Sequence, residues 1–213
     1  MDLFKAIYSR RSVRKYSKKK VSKDDLMNIL DAGIYAPSAC DIQGWRFIVI
    51  DDPKVKQELM NEGAASFIES APIGILVLYN NQTENLEYMD YLQSAAACIQ
   101  NMLLAAHSLG IGCCWICHLP RKGELRNLLC IPKHYDPIAY ITLGYPKGDV
   151  KERKRRYDVN DLISYNRYES KKDSVKSTLR LSIKRLMRKI YYRLPFRKHI
   201  KTRVDDRFEK RFD

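Results

Sequence analysis

The sequence predicts an α+β fold, an α/β sandwich in which helices cover a central sheet. Segments with helical periodicity alternate along the chain with short β-type runs, an order that favours helices packed on a sheet. The chain has 213 residues, of which 45% are hydrophobic. It is therefore long enough for one domain with a full core, or for one domain with an appendage.

Each predicted element rests on a local pattern. Ser22 and Asp25 resemble a capping box that begins an amphipathic helix. Pro53 opens the next helix, and Gly110 ends the long apolar one. In chain order, the predicted elements are a helix over 2–10, a helix over 22–35, a strand over 45–50, a helix from 53, a strand over 73–79, a helix over 88–109, a strand over 112–117, a helix over 120–129 and a strand over 138–143.

The stretch 91–120 contains no Asp, Glu, Lys or Arg. Its length raises the question of a membrane span. Polar side chains such as Gln100, Asn101 and His107 would need partners in hydrocarbon, and Gly110 divides the stretch into a helix and a strand. We therefore expect a buried central helix instead.

Charge and cysteine content separate the two ends of the chain and indicate its compartment. The net charge is +14; residues 151–213 hold 22 Lys and Arg against 9 Asp and Glu, whereas residues 1–150 hold 17 against 16. The basic character is thus a property of the C-terminal part.

Residues 1–20 lack the apolar core of a signal peptide, and six Cys without extracellular context indicate reduced thiols, so we expect a cytoplasmic protein.

A cluster of guanidinium groups follows the first predicted helix. Arg10, Arg11 and Arg14 lie within five residues of one another, together with the hydroxyl of Ser12. Arginine forms charge-assisted, often bidentate hydrogen bonds to phosphate oxygens. The cluster therefore predicts a phosphate site, although a solvated basic turn would have the same composition.

Four ordered motifs resemble the nitroreductase family. The first is the Arg10–Arg14 cluster, similar to the family's Arg-Arg-Ser-x-Arg. The second is Pro37-Ser38 followed by Gln43 and Trp45, similar to Pro-Ser-x-x-Asn-x-Gln-Pro-Trp. The third is the helix from Gln100-Asn101 to Gly110-Ile-Gly, and the fourth is Gly144-Tyr145-Pro146. The resemblance implies a mostly antiparallel sheet flanked by helices, in an interlocked homodimer with two flavin mononucleotide (FMN) sites.

The resemblance also implies which residues bind FMN. Arg10, Arg11, Ser12 and Arg14 would hold the phosphate and one flavin edge, and Lys154 and Arg156 would complete the phosphate site. The loop Pro37–Gln43, with Ser38, Ala39 and Asp41, would lie near the flavin of the partner subunit. Backbone groups of Ile116, Cys117 and His118 would approach flavin N5 and O4. No side chain is expected to be an obligatory acid or base, so no catalytic residue is predicted.

Two departures from the family pattern bear on the chemistry. Asp41 stands where the family usually has Asn, and Gly44 where it usually has Pro. A carboxylate near the flavin would disfavour the reduced, anionic form of the ring. A surface turn residue is the alternative role for Asp41.

A metal site is not expected at Cys114, Cys117 and His118. A zinc site needs a second ligand pair at a defined spacing, which the sequence lacks. Neighbours on a strand also point to opposite faces and cannot all converge on one ion.

The implied activity is hydride transfer from NAD(P)H through flavin N5 to a nitroaromatic, a quinone or a similar small acceptor. One alternative is an interaction module, with or without flavin, that the basic tail brings to a membrane surface or an acidic partner. Another, implied by the same resemblance, keeps the flavin but changes the reaction to dehydrogenation or flavin destruction. The resemblance covers roughly residues 1–168, which we predict as the FMN-binding domain, and leaves residues 169–213 as a basic C-terminal extension.

The extension contains a basic amphipathic helix over 179–194. Three roles stay open for it: packing on its own domain or across the dimer, lying on an anionic membrane surface, or binding an acidic protein or nucleic acid. Nucleic acid is not favoured, because the tail lacks a recognised nucleic-acid motif and its positive charge is the single feature that supports such binding.

Overall fold

A computed structural model describes residues 1–150, 154–169 and 178–193. The chain divides into two compact units, residues 1–150 and residues 151–213. Each unit is described by itself below. The predicted division at residue 168 stays a prediction.

The first unit contains one four-stranded sheet. Its strands are β1 (Trp45–Ile50), β2 (Ile73–Asn80), β3 (Gly112–Ile116) and β4 (Tyr135–Gly144), in the spatial order β1-β2-β4-β3. All three neighbouring pairs are antiparallel. The α+β prediction with an antiparallel sheet is therefore confirmed, and β3 is an edge strand of the described sheet.

Helices cover the sheet in the order that the sequence predicts. Ser22 accepts a hydrogen bond from the Asp25 N–H at the start of α2, and Asp52 caps α3 in the same way through the Lys54 N–H. The helices of the first unit are α1 (Leu3–Ser9), α2 (Lys23–Ile34), α3 (Pro53–Glu62), α4 (Asp90–Ser108) and α5 (Lys122–Leu129). The second unit contains α6 (Thr178–Arg193) in the segment where the sequence predicts a helix over 179–194.

The alternation of side chains along β2 divides the core into two layers. Ile75 and Val77 pack with Ile29 of α2 and with the apolar face of α4. Leu76 and Leu78 face the other way, where Leu59 of α3 and Leu125 of α5 cover them. The long apolar stretch is thus a central helix of the core, as its composition predicts. Among the described residues, no helix is both long enough and apolar enough to cross a membrane.

Strand β4 begins at Tyr135, three residues earlier than the predicted start at Ile138. Pro137 argues against a strand in the sequence because it has no N–H to donate. In the structure it lies at an irregularity, where Val77 pairs with Ala139 but Leu78 pairs with Pro137. The bulge accommodates the proline and lets the strand continue.

Tyr140 of β4 fills a space that Gly74 of β2 leaves open. A Cβ atom added to Gly74 would lie 1.7 Å from the Tyr140 Oη. That hydroxyl is buried, and the described residues offer it no hydrogen-bond partner. Burial raises the pKa of Tyr140, so the phenol stays neutral.

We expect Tyr140→Phe to leave stability unchanged or to raise it by up to about 1 kcal/mol, because the substitution removes an unsatisfied buried hydroxyl. Urea unfolding monitored by circular dichroism measures the change. A loss above about 1 kcal/mol would show that the hydroxyl has a partner, such as a buried water.

Candidate functional site

The basic segment Arg10–Arg14 runs from the end of α1 along the edge strand β3. The Arg10 N–H donates to the Ala6 carbonyl and closes α1. Ser12 forms a parallel bridge with Cys113, and the Val13 N–H donates to the Cys113 carbonyl at 2.9 Å. A Cβ atom on Gly112 would lie 2.9 Å from the Val13 Cβ, so glycine is what allows this close approach.

The guanidinium of Arg11 is only partly satisfied by the chain. Its Nη1 donates to the carbonyls of Tyr8 at 2.6 Å and Arg10 at 2.8 Å. Its Nε is buried and has no partner among the described residues. The described residues also provide no carboxylate in ion-pair distance of Arg10 or Arg11. Arg10 and Arg11 therefore retain positive charge, and Arg11 a donor, for an anionic ligand.

The positive charge of this segment shifts the pKa values of neighbouring ionisable groups. Burial lowers the pKa of His107 at the end of α4, and Arg10 and Arg11 lower it further. Burial raises the pKa of Cys113 to about 12, with Arg10 acting against the rise. Burial also raises the pKa of Cys114, opposed by Arg14, by a hydrogen bond with Ser12 and by Arg10. The arginines thus act electrostatically on His107 at the end of α4 and on Cys113 and Cys114 of β3.

Two buried side-chain hydroxyls hold the basic segment against the sheet. The Tyr16 hydroxyl donates to the Val13 carbonyl at 2.5 Å and shares a hydrogen bond of 2.7 Å with the Thr142 hydroxyl of β4. Tyr16 is 6% exposed and Thr142 is fully buried. Since Val13 lies between Ser12 and Arg14, this pair holds the arginine backbone against β3 and β4.

Tyr16→Phe is expected to lower the free energy of unfolding by about 1–2 kcal/mol, because it removes the hydrogen bonds of the Tyr16 hydroxyl with the Val13 carbonyl and the Thr142 hydroxyl. Urea denaturation measures the loss. Tyr140→Phe is the matched control, since it removes an equally buried phenol hydroxyl that has no described partner. Equal effects of the two substitutions would contradict this role for Tyr16.

The loop after α2 has an unusual backbone held by hydrogen bonds. Cys40, Asp41 and Gln43 have positive φ angles of 50°, 53° and 48°. The Gln43 N–H donates to Ser38 Oγ at 3.1 Å, and the Gln43 side-chain amide donates to the Asp41 carboxylate at 2.8 Å. The Ala39 N–H donates to Ser94 Oγ of α4 at 3.0 Å. Pro37, Asp41 and Gln43 are exposed, so the loop presents a carboxylate and an amide to the outside.

Strand β3 ends at Ile116, which is buried, and the chain then emerges at Cys117 and His118, which are both exposed. Cys114 is buried within the strand. The described part of the chain contains no group of three or more His, Cys, Asp or Glu side chains arranged to hold a metal ion.

Lys154 and Arg156 belong to the second unit, where both are exposed. Their role in a phosphate site stays a prediction. Within the first unit, the structure brings Arg10, Arg11, Ser12 and Arg14 to the same strand edge. The loop Pro37–Gln43 makes its hydrogen bonds within itself and to α4.

Sequence reasoning did not find Tyr16, Thr142 or Ser94. Tyr16 and Thr142 are 126 residues apart and meet only because β3 and β4 pair beside the basic segment. Ser94 carries one weak signal, a small polar residue inside an apolar helix. It is 4% exposed and accepts the loop N–H while donating to the Asp90 carbonyl.

Three comparisons with known proteins agree with this architecture. The Nitroreductase family model matches residues 7–62 and 56–145. An NADH dehydrogenase of Thermus thermophilus is 37% identical over 185 residues, covering 68% of this chain and 87% of the relative.

Solved structures give the same result. A Desulfovibrio desulfuricans protein, assigned as a nitroreductase and solved in complex with FMN, is 31% identical with a TM-score of 0.67, over 79% of this chain and 99% of that chain. An FMN-dependent nitroreductase from Clostridium difficile is 26% identical with a TM-score of 0.67, over 78% and 99% of the two chains. The family match spans the basic segment, the loop after α2 and strand β3, and on this agreement of sequence and fold the chain belongs to the nitroreductase family.

Proposed function

We propose that this chain is an FMN-dependent oxidoreductase that uses NAD(P)H to reduce a small acceptor such as a nitroaromatic or a quinone. The observation that carries the proposal is the basic segment fixed against β3, with a buried Arg11 Nε that lacks a partner among the described residues. The similarity to proteins that include an FMN-dependent nitroreductase supports the same activity.

The residues present fit the phosphate of FMN. A phosphate monoester carries up to two negative charges, which several charge-assisted hydrogen bonds can share. Arg10, Arg11 and Arg14 supply cations and Ser12 supplies a hydroxyl, from a backbone that β3 and Tyr16 hold in place.

When bound, FMN would supply the hydride chemistry, taking a hydride from the nicotinamide and passing it to the acceptor. The protein's own contribution is to bind, to orient and to set the electrostatic field. The arginine segment would anchor the phosphate end. Backbone groups after Ile116, at the exposed residues Cys117 and His118, would flank the ring.

We further propose that the active form is a homodimer, in which the loop Pro37–Gln43 lies near the flavin of the partner subunit. Ser94 and the Ser38–Gln43 hydrogen bond hold the loop in an unusual backbone conformation. Such strain is typical of segments that contact ligands. The expected compartment is the cytoplasm.

The visible spectrum of the purified full chain, recorded under argon before and after NADH or NADPH, tests the function. We expect flavin absorption bands that bleach with at least one nucleotide and return on addition of a quinone or nitroaromatic. A protein that stays colourless and takes up no added FMN would overturn the proposal and favour an interaction module. Flavin bands that bleach with neither nucleotide would show that the protein binds flavin but would contradict NAD(P)H as the donor.

Asp41→Asn is expected to raise the midpoint potential of the bound flavin, because it removes a negative charge that opposes formation of the reduced, anionic ring. The Asn side chain keeps an oxygen that can accept the Gln43 amide hydrogen bond. Reduction by dithionite beside a reference dye measures the potential. Asp31→Asn on α2 is the control. An unchanged potential would assign Asp41 to the surface turn.

A further inference from the structure

Helix α6 lies outside the part of the chain that the family explains. The family match ends at residue 145, whereas α6 spans Thr178–Arg193 in the second unit. Neither the phosphate site nor the loop after α2 includes it. Its composition therefore needs an explanation of its own.

One side of α6 is an apolar stripe. Its members follow one another at intervals of three, four or one residues, which places them on one face of a helix. They are all exposed, with 71% exposure for Leu179, 58% for Leu186 and 62% for Met187. The stripe consists of Leu179, Ile183, Leu186, Met187 and Ile190.

The charge of α6 has a single sign. The helix sequence contains six Lys and Arg and no Asp or Glu. Arg185, beside the stripe in sequence, is exposed. An exposed apolar stripe on a helix whose charged residues are all cationic offers hydrophobic and electrostatic attraction together. A partner that uses both must present apolar and anionic groups.

We propose that α6 binds the surface of an anionic phospholipid bilayer. The helix would lie in the interface with its apolar stripe among the acyl chains and its cations at the lipid phosphates. Charge complementarity with anionic lipid favours this occupant. Nucleic acid would use the cations but not the apolar stripe.

Co-sedimentation of the full chain with vesicles tests the proposal. Vesicles of phosphatidylcholine alone are compared with vesicles that also contain phosphatidylglycerol, at low and high salt. We expect binding to the anionic vesicles only, and weaker binding at high salt. This measurement needs no flavin turnover, so its result is independent of the proposed function.

Two variants separate the two contributions. Arg185→Glu reverses one charge and is expected to lower the partition coefficient roughly tenfold. Leu186→Gln removes apolar area and is expected to lower it by a similar factor, roughly tenfold, even at high salt. Ser182→Gln on the same helix and Leu86→Gln, which alters an exposed leucine of the first unit, are the controls and should bind like the parent.

Three results would overturn the proposal. The first is no binding to anionic vesicles. The second is equal binding to both vesicle types with no effect of Arg185→Glu. The third is self-association of the parent protein, measured by light scattering, that Leu186→Gln abolishes while vesicle binding is unchanged. The stripe would then bind a second copy of this chain.

Discussion

Arg10→Gln is expected to weaken FMN binding by roughly ten- to a hundredfold. A hydrogen bond to a charged group contributes about 1.5–3 kcal/mol, which corresponds to that range of dissociation constants. Arg10 lies at the end of α1, and its side chain has no carboxylate partner among the described residues. Its charge is therefore available to a phosphate. Fluorescence titration of the apoprotein with FMN measures the change.

Arg10 is a sharper test than Arg11. The Arg11 guanidinium donates to the Tyr8 and Arg10 carbonyls, so its removal would also disturb the end of α1. Arg10 instead shares its surroundings with like charges, because both Arg10 and Arg11 lower the pKa of His107. Arg10→Gln should consequently leave the stability of the apoprotein unchanged or slightly higher.

Riboflavin, which lacks the phosphate, separates a phosphate contact from a general change in the site. Its affinity should be nearly the same in the parent and in Arg10→Gln. Lys20→Gln removes an exposed cation from the same part of the chain and should not alter FMN affinity. An equal loss of FMN and riboflavin binding, or an equal loss in Lys20→Gln, would contradict the assignment of Arg10 to the phosphate.

Local signals in the sequence account for most of the fold. Strand β1 was predicted with its observed bounds because a β-type run is enclosed by turn residues. Helix α2 begins after Ser22, whose hydroxyl caps it as the motif indicates. Strand β4 was predicted too short, because the bulge that accommodates Pro137 depends on the partner strand β2. A sequence pattern does not contain that information.

The candidate site can be predicted from the sequence where a contiguous motif forms it. Arg10–Arg14 was found from charge and from family resemblance, and the structure adds the strand edge that holds it. The Tyr16–Thr142 pair was not found, since sheet pairing alone brings it together. Lys56 was also missed as a core residue. It is 5% exposed and donates to the carbonyls of Ala71 and Pro72, whereas lysine in a helix normally indicates a solvated face.

A charged cluster that the sequence did not reveal ties α5 to β4. Asp136 is 7% exposed and accepts hydrogen bonds from Lys122, from Arg126 at 2.5 Å and from Asn81 at 3.0 Å. Arg126 also donates to the Tyr135 carbonyl at 3.1 Å. One carboxylate thus joins a helix, a strand and the turn after β2.

Asp136→Asn is expected to lower the free energy of unfolding at neutral pH by about 3 kcal/mol, because it leaves partly buried cations without their counter-charge. Burial acts to raise the pKa of Asp136, but hydrogen bonds from Lys122 and Asn81 outweigh it, and the pKa lies below its ordinary value of 3.8. The unfolded chain consequently binds the proton first as the pH falls. Urea midpoints measured as a function of pH give the difference between parent and variant.

The pH dependence distinguishes this ion pair from a loss of packing. Asp136 contributes its stability above pH 3.8, and the contribution disappears as the pH falls toward the lowered pKa of the folded state. The difference in free energy of unfolding between the parent and Asp136→Asn should therefore be constant near neutral pH and should disappear in acid. Asp31→Asn on the exposed face of α2 should show no gap at any pH. A gap for Asp136→Asn that persists in acid would mean that shape rather than charge holds α5 on the sheet.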